Sequence, residues 1–182
     1  MFIKKHLKSS VKSKEKMKIH EKNTKNATDK NKPMKIGLIN AQSVRKKAVE
    51  LNDYIYEKEL DLCLITESWL IDNDKNDQRI IGDLKAGGYQ YKSQNRNTRQ
   101  GGSIGCVHKK ELNVKKECSP MICLDKDEPT QIRTMELLDC VLKIKNKKVR
   151  FVCIYRPDPS AVNRYTITEF FDEFSELLAH YS

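Results

Sequence analysis

Between residues 35 and 182 the apolar positions fall into short blocks whose period changes along the chain. KIGLIN (35–40) reads as a short strand. In QSVRKKAVELNDYIYEKE, Ala48, Leu51, Tyr54, Ile55 and Lys58 recur at helical spacing with Lys and Glu opposite, which predicts a helix ending near Lys58. LDLCLIT (60–66) is apolar almost throughout, the pattern of a strand buried on both faces. Strand, helix, strand within this short span is the grammar of an α/β layer.

Residues 71–88 are polar and end in Ala-Gly-Gly, which predicts a long loop with room for a short helix. YQYKS (89–93) and SIGCVHKK (103–110) read as strands, separated by the basic loop NRNTRQGG, and Leu112 and Val114 begin a partner for the second. Residues 115–131, rich in Cys, Asp and Pro, show no clear period. TMELLDCVLKI (134–144) and VRFVCIY (149–155) flank the polar NKK and predict an antiparallel hairpin. Ile167, Phe170, Phe171, Phe174, Leu177, Leu178 and Tyr181 form one helical stripe, opened by Thr166 and Glu169 at capping-box spacing. The order predicts one mostly complete mixed sheet, with the 45–58 and 167–181 helices packed on its outside.

Length and charge refine this picture. A chain of 182 residues is the size of one domain. Its formal charge of +10 is uneven: residues 1–35 hold twelve Lys against three acids, and the rest hold 23 basic against 22 acidic side chains. The excess belongs to a basic leader (1–34), read as a disordered segment able to attract phosphate backbones, and not to the domain at 35–182. No stretch approaches a membrane span or a secretory signal core, so no membrane partner is expected. Nucleus and cytoplasm are both open to such a chain. The six Cys form no CxxC pair, and the four His fall at no zinc-finger spacing. Reduced, mostly buried thiols follow.

Three polar residues stand where predicted strands end: Asn40, Glu67 and Tyr155. In layered α/β folds the crevice outside strand ends is where ligands bind. Each also has a plain structural reading. Asn40 can close an Asx-turn, Glu67 can cap Ser68 or pair with a Lys, and Tyr155 can be a core-edge ring beside Pro157.

Taken together, LINAQSVRKKAVELNDYI, LDLCLITESWL, YQYKS…NRNTRQGGSIGCV and VCIYRPDP resemble the endonuclease/exonuclease/phosphatase superfamily. The branch they resemble is the apurinic-type endonuclease domain of non-LTR retrotransposons, with its "LNARS", "ITETW", "R…GGG" and "YRPP". The resemblance implies a partial four-layer α/β sandwich of the DNase I-like type and hydrolysis of phosphoesters with Mg²⁺. It places Glu67 on the metal-binding Glu, Asn40 on the active-site Asn, and Tyr155 on the Tyr that bonds the phosphate or leaving group. Arg156 becomes a phosphate- or DNA-backbone-binding candidate.

The chain departs from the pattern at Ser103, where GGS stands for GGG, and at His108. No GDxN segment and no S/D-x-H pair occurs in it. The expectation is a domain truncated before its second half, inactive alone, with weak Mg²⁺ binding. DNA affinity is expected from the leader and the remnant cleft, and self-association from an uncovered 167–181 helix. Two other readings stay open: an active nuclease or phosphatase whose second half lies beyond this sequence, and a nucleic-acid-binding module acting through the leader.

Overall fold

In a computed structural model of the chain, the described residues are 33–71, 74–94, 102–118, 121–125, 128–144, 147–158 and 164–182, with only the backbone path for 121–125 and 128–131. The basic leader up to residue 32 and the loop 95–101 lie outside them. The element order is β1 (Ile36–Asn40), α1 (Ala48–Glu57), β2 (Leu62–Thr66), α2 (Lys75–Leu84), β3 (Tyr89–Gln94), β4 (Ile104–Lys109), β5 (Lys115–Lys116), β6 (Met121–Asp125), β7 (Glu128–Gln131), β8 (Glu136–Ile144), β9 (Lys147–Tyr155) and α3 (Ile167–Tyr181).

The first sheet has the order β1-β2-β4-β3. β1 and β2 run parallel, with Asn40 opposite Thr66, and the other neighbours are antiparallel. α1 makes the crossover a parallel pair requires. The second sheet has the order β5-β8-β9, and β6 and β7 form a separate ladder. Leu62, Ile104 and Cys106 of the first sheet pack against Leu138, Cys140, Leu142 and Cys153 of the second. α1 and α2 cover the other face of the first sheet, through Ile55, Ile81 and Leu84 on Ile65 and Val107. α3 covers the other face of the second, through Leu177 on Met135 and Leu137. The layers are therefore helix, sheet, sheet, helix.

This corrects the expectation of one sheet with both helices outside it. Period-two alternation sends Leu138, Cys140 and Leu142 to one face of β8 and Leu137 to the other. A strand buried on both faces needs a layer on each side. The hydrophobic pattern does not say whether a hairpin extends the first sheet or stacks on it. The short helix for which the 71–88 segment had room is α2: Asp74 caps it by accepting from the amides of Asn76 and Asp77 at 2.8 and 3.1 Å.

The α3 stripe divides in two. Leu177 is fully buried, and Phe170, Phe174 and Tyr181 pack partly against the second sheet, whereas Ile167, Phe171 and Leu178 are each more than half exposed. On α1, Tyr54 points outward, and Asn52 takes the inner position, donating to the Leu84 carbonyl at 3.0 Å. Four of the five described thiols are buried, Cys118 being exposed. Burial pushes those of Cys63 and Cys153 up to about 11, the mark of inert thiols.

Candidate metal and phosphate site

β1 and β2 end side by side, and their hydrogen bonding continues into the loops beyond. The Ala41 amide donates to the Thr66 carbonyl at 3.0 Å, Ser43 to Glu67 at 2.8 Å, and Val44 to Ser68 at 3.1 Å. The start of β4 joins from the other side: Ser68 donates to Ser103 at 3.0 Å and Trp69 to Gly102 at 2.9 Å. Three loops are thus tied into one rim. Gln42, Ser43, Glu67, Trp69 and Ser103 all lie there with φ between +45° and +78°, left-handed backbone that non-glycine residues adopt at a cost. Such strain concentrates at functional sites because the surrounding structure holds it in place. The GGS departure is one of these positions: Ser103 occupies a conformation that suits glycine.

The rim presents Glu67. The Asn40 side-chain amide donates to Glu67 Oε1 at 3.1 Å. The Tyr155 hydroxyl, arriving from the end of β9 in the other sheet, donates to the same oxygen. The Gln42 amide donates to Asn40 Oδ1 at 3.2 Å, which fixes which way the Asn40 amide faces. Asn40 thus closes the local turn, as its plain reading has it, while its amide meets Glu67. Burial, then the hydrogen bond to Glu67 and the charges of Glu67, Asp158 and Glu136, raise the Tyr155 phenol far above its ordinary range. It remains a neutral donor at any physiological pH.

Arg156 stands apart from this group. Its guanidinium lies 5.5 Å from the centre of the Phe170 ring, on the α3 side of β9. Successive residues leaving a strand face opposite ways, so Tyr155 and Arg156 serve different layers. His108 is remote as well: it pairs with Leu62 at the far end of β2 and is fully buried. Asp74 is used as a helix cap, and Asp72 lies outside the described residues.

Two further features belong to the rim only in the folded chain. Arg45, on the loop after β1, grips Asp77 of α2 with two bonds of 3.0 and 2.9 Å. Asp77 also accepts from the Ile71 amide at 2.9 Å, so one carboxylate of 1 % exposure braces both site loops. Burial alone would raise the Asp77 carboxyl, but the Arg45 fork and the Ile71 amide outweigh it and hold it below its ordinary value. The second feature is charge. Arg45, Lys46 and Lys47 are exposed on the same loop, and Lys47 Nζ donates to the Ala41 carbonyl at 2.7 Å. The QSVRKK segment shows the basic run; only the fold puts it beside Glu67.

Magnesium is usually held by one or two carboxylates together with water and substrate phosphates. Glu67, an anionic oxygen donor at a strand exit, fits one such ligand. Among the described residues no cluster of three or more His, Cys, Asp or Glu side chains forms a fuller cage. A depression on α3 lined by Arg133, Glu169, Asp172, Glu173, Ser175 and Glu176 is a separate feature. Two of its carboxylates are committed, Glu169 to the helix cap and Glu173 to the β7–β8 turn.

No family model matches the chain, and no curated protein matches its sequence. Solved structures do match. TDP2 of D. rerio, complexed with a single strand DNA product, aligns with 80% of this chain and 53% of its own at 14% identity and a TM-score of 0.50. A 3'-5' exonuclease (NExo) from Neisseria meningitidis aligns with 79% of this chain and 50% of its own, at 16% identity and a TM-score of 0.48. AP endonuclease LMAP from Leishmania major aligns with 66% of this chain and 38% of its own, at 14% identity and a TM-score of 0.46. The chain spans about half the length of the first two. The fold is the DNase I-like α/β sandwich.

Proposed function

We propose that the crevice formed by Asn40, Glu67 and Tyr155 is the metal- and phosphate-engaging part of a phosphodiester-hydrolysing site for DNA. The observation that carries the reading is Glu67. Its carboxylate sits on strained backbone at the exit of a parallel strand pair, with one oxygen shared by an amide and a hydroxyl from two different sheets. In this reading Glu67 would hold Mg²⁺, which when bound would supply positive charge to the phosphoryl oxygens. Asn40 keeps the carboxylate oriented. Tyr155 transfers its hydrogen bond from Glu67 to a phosphate oxygen as charge develops there. The basic rim at Arg45, Lys46 and Lys47, and the Lys-rich leader, draw in the backbone of the substrate.

The wording of four ordered segments supports a retrotransposon-derived endonuclease as the finer identity. The donor set supports low activity for these residues by themselves. Among the described residues Glu67 is the carboxylate that Asn40 and Tyr155 bond, Glu136 and Asp158 act on Tyr155 by charge, and His108, the histidine of β4, lies at the other end of the sheet. Losing a single general base or oxyanion donor costs roughly 10²-fold or more. The exposed flank of Ile167, Phe171 and Leu178 supports self-association as an additional property.

Two measurements test this. Magnesium titration followed by NMR is expected to shift the amides around Asn40, Glu67 and Tyr155 weakly, and to leave them unmoved in Glu67→Gln; equal shifts in the variant overturn the site. Nicking of supercoiled plasmid with Mg²⁺ is expected at background for both proteins. Nicking that disappears in E67Q overturns the expected inactivity while supporting the site.

A further inference from the structure

Trp69 is the chain's one tryptophan, and the fold holds it in an unusual way. Its φ is +59°, a left-handed conformation that a bulky side chain rarely adopts. Its neighbours Ser68 and Leu70 are fully buried, and Ser68 Oγ accepts from the Leu70 amide at 3.5 Å. The amides of Ser68 and Trp69 are both bonded to the two residues that lead into β4, Ser103 and Gly102. The backbone is therefore locked on either side, yet the indole between two buried residues is 40% exposed. A tryptophan serving the core is highly buried. Here strain is maintained and the ring is still left in water, the combination from which a functional role is inferred.

Its surroundings say what kind of role. Glu67 is two residues away, and the loop carrying Arg45, Lys46 and Lys47 is bonded to the Glu67–Ser68 backbone. An exposed aromatic ring on the same rim as a phosphate-engaging carboxylate and a basic loop has the makings of a single-strand nucleic-acid site. In such sites charges track the backbone and an aromatic ring stacks on a base.

We propose that Trp69 is a stacking platform for the nucleobase next to the phosphodiester engaged at Glu67. The inference rests on the reading of that crevice as a phosphodiester site. It adds a preference the reading does not contain: base-bearing single strands over an abasic phosphate chain of equal charge.

The single tryptophan makes the test direct. The full chain, in Mg²⁺ and at fixed salt, is titrated with an oligothymidylate and with a strand of the same length built of abasic deoxyribose units. Binding is read by anisotropy of end-labelled strands and stacking by tryptophan fluorescence of unlabelled ones. The base-bearing strand is expected to bind about tenfold tighter or more and to quench the emission, while the abasic strand does neither. Trp69→Phe is expected to keep most of the preference and Trp69→Ala to abolish it. Equal quenching by both strands, or a preference unchanged in W69A, overturns the stacking role and leaves the phosphodiester site standing. Failure of both strands to bind overturns the site reading and this inference with it. The wild-type quenching needs no variant, so a W69A that fails to fold does not decide the matter.

Discussion

The two helical layers are fastened to one sandwich by different chemistry. On the α1/α2 side the join is apolar: Val44, Ile55, Ile65 and Leu84 are fully buried, and the Arg45–Asp77 pair adds one braced point. On the α3 side Leu177 is the only fully buried apolar residue of the helix, and directional polar bonds do the rest. Glu173, with no exposure, accepts from the amides of Arg133 and Thr134 at 3.0 and 2.8 Å and from the Thr134 hydroxyl at 2.6 Å. Tyr181 donates to Asp139 at 2.7 Å, and Arg150 lies over the Tyr181 ring. Area burial stabilises without direction; hydrogen bonds fix position with modest net energy. The apolar layer supports the strained rim that carries Glu67 and Trp69. The latched layer covers the outer face of the second sheet, and Tyr155 packs on that sheet's inner side, against the cluster between the sheets.

The comparison breaks most sharply at Glu173. Replacing a buried, multiply bonded carboxylate leaves donors unmatched, and Glu173→Gln is expected to cost about 3 kcal/mol in urea unfolding. Hydrogen exchange is expected to rise along α3 and β8 while α1 stays protected; uniform exchange would show that the layers do not differ. Leu177→Ala is expected to cost a similar 2–4 kcal/mol, marking the one apolar anchor of that layer.

Asp77→Asn tests the other flank and is expected to cost roughly 2 kcal/mol, discounted because the Arg45 end is exposed. Its pH signature follows from the sign of the shift. Asp77 titrates lower when folded than unfolded, so its contribution is present above about pH 3.9 and lost as pH falls through the folded value. Acid unfolding curves of the wild type and D77N should converge there. Curves that stay parallel would show that the brace carries no stability.

The layer between the sheets has its own acid sensitivity. Burial first, offset in part by a hydrogen bond with the Lys109 carbonyl at 2.9 Å, lowers the His108 imidazole below its ordinary value. Its Nε2 is buried with no hydrogen-bond partner among the described residues. The unfolded chain therefore takes up a proton first, and stability falls as pH drops below about 6.5 toward the folded value. His108→Leu is expected to flatten that decline, read as a smaller loss of stability between neutral and mildly acid pH. The smallest effect is expected at Phe171→Ser, within about 0.5 kcal/mol of wild type, because that ring is mostly in water. Sedimentation of this variant reads whether the exposed flank of α3 associates.

Much of this architecture was legible in the chain. Residues 62–66 announce a buried strand by unbroken apolarity, residues 136–155 a hairpin by a polar break between two runs, and α3 its start by Thr166 and Glu169. Those signals are local, and local preferences act over a few residues whatever the rest of the molecule does. Glu67 could be singled out for a similar reason, since a carboxylate ending an apolar strand has to meet water or a partner. What the chain could not show was distance. That the hairpin stacks on the first sheet, that Tyr155 reaches Glu67 from 88 residues away, and that Arg156 turns to Phe170 instead, depend on which faces meet. The same holds for Arg45 finding Asp77 across two elements, and for Trp69 staying exposed between two buried neighbours. Period and composition set which side of each element is apolar; only the packing of the four layers decided which polar groups would be brought together at their edge.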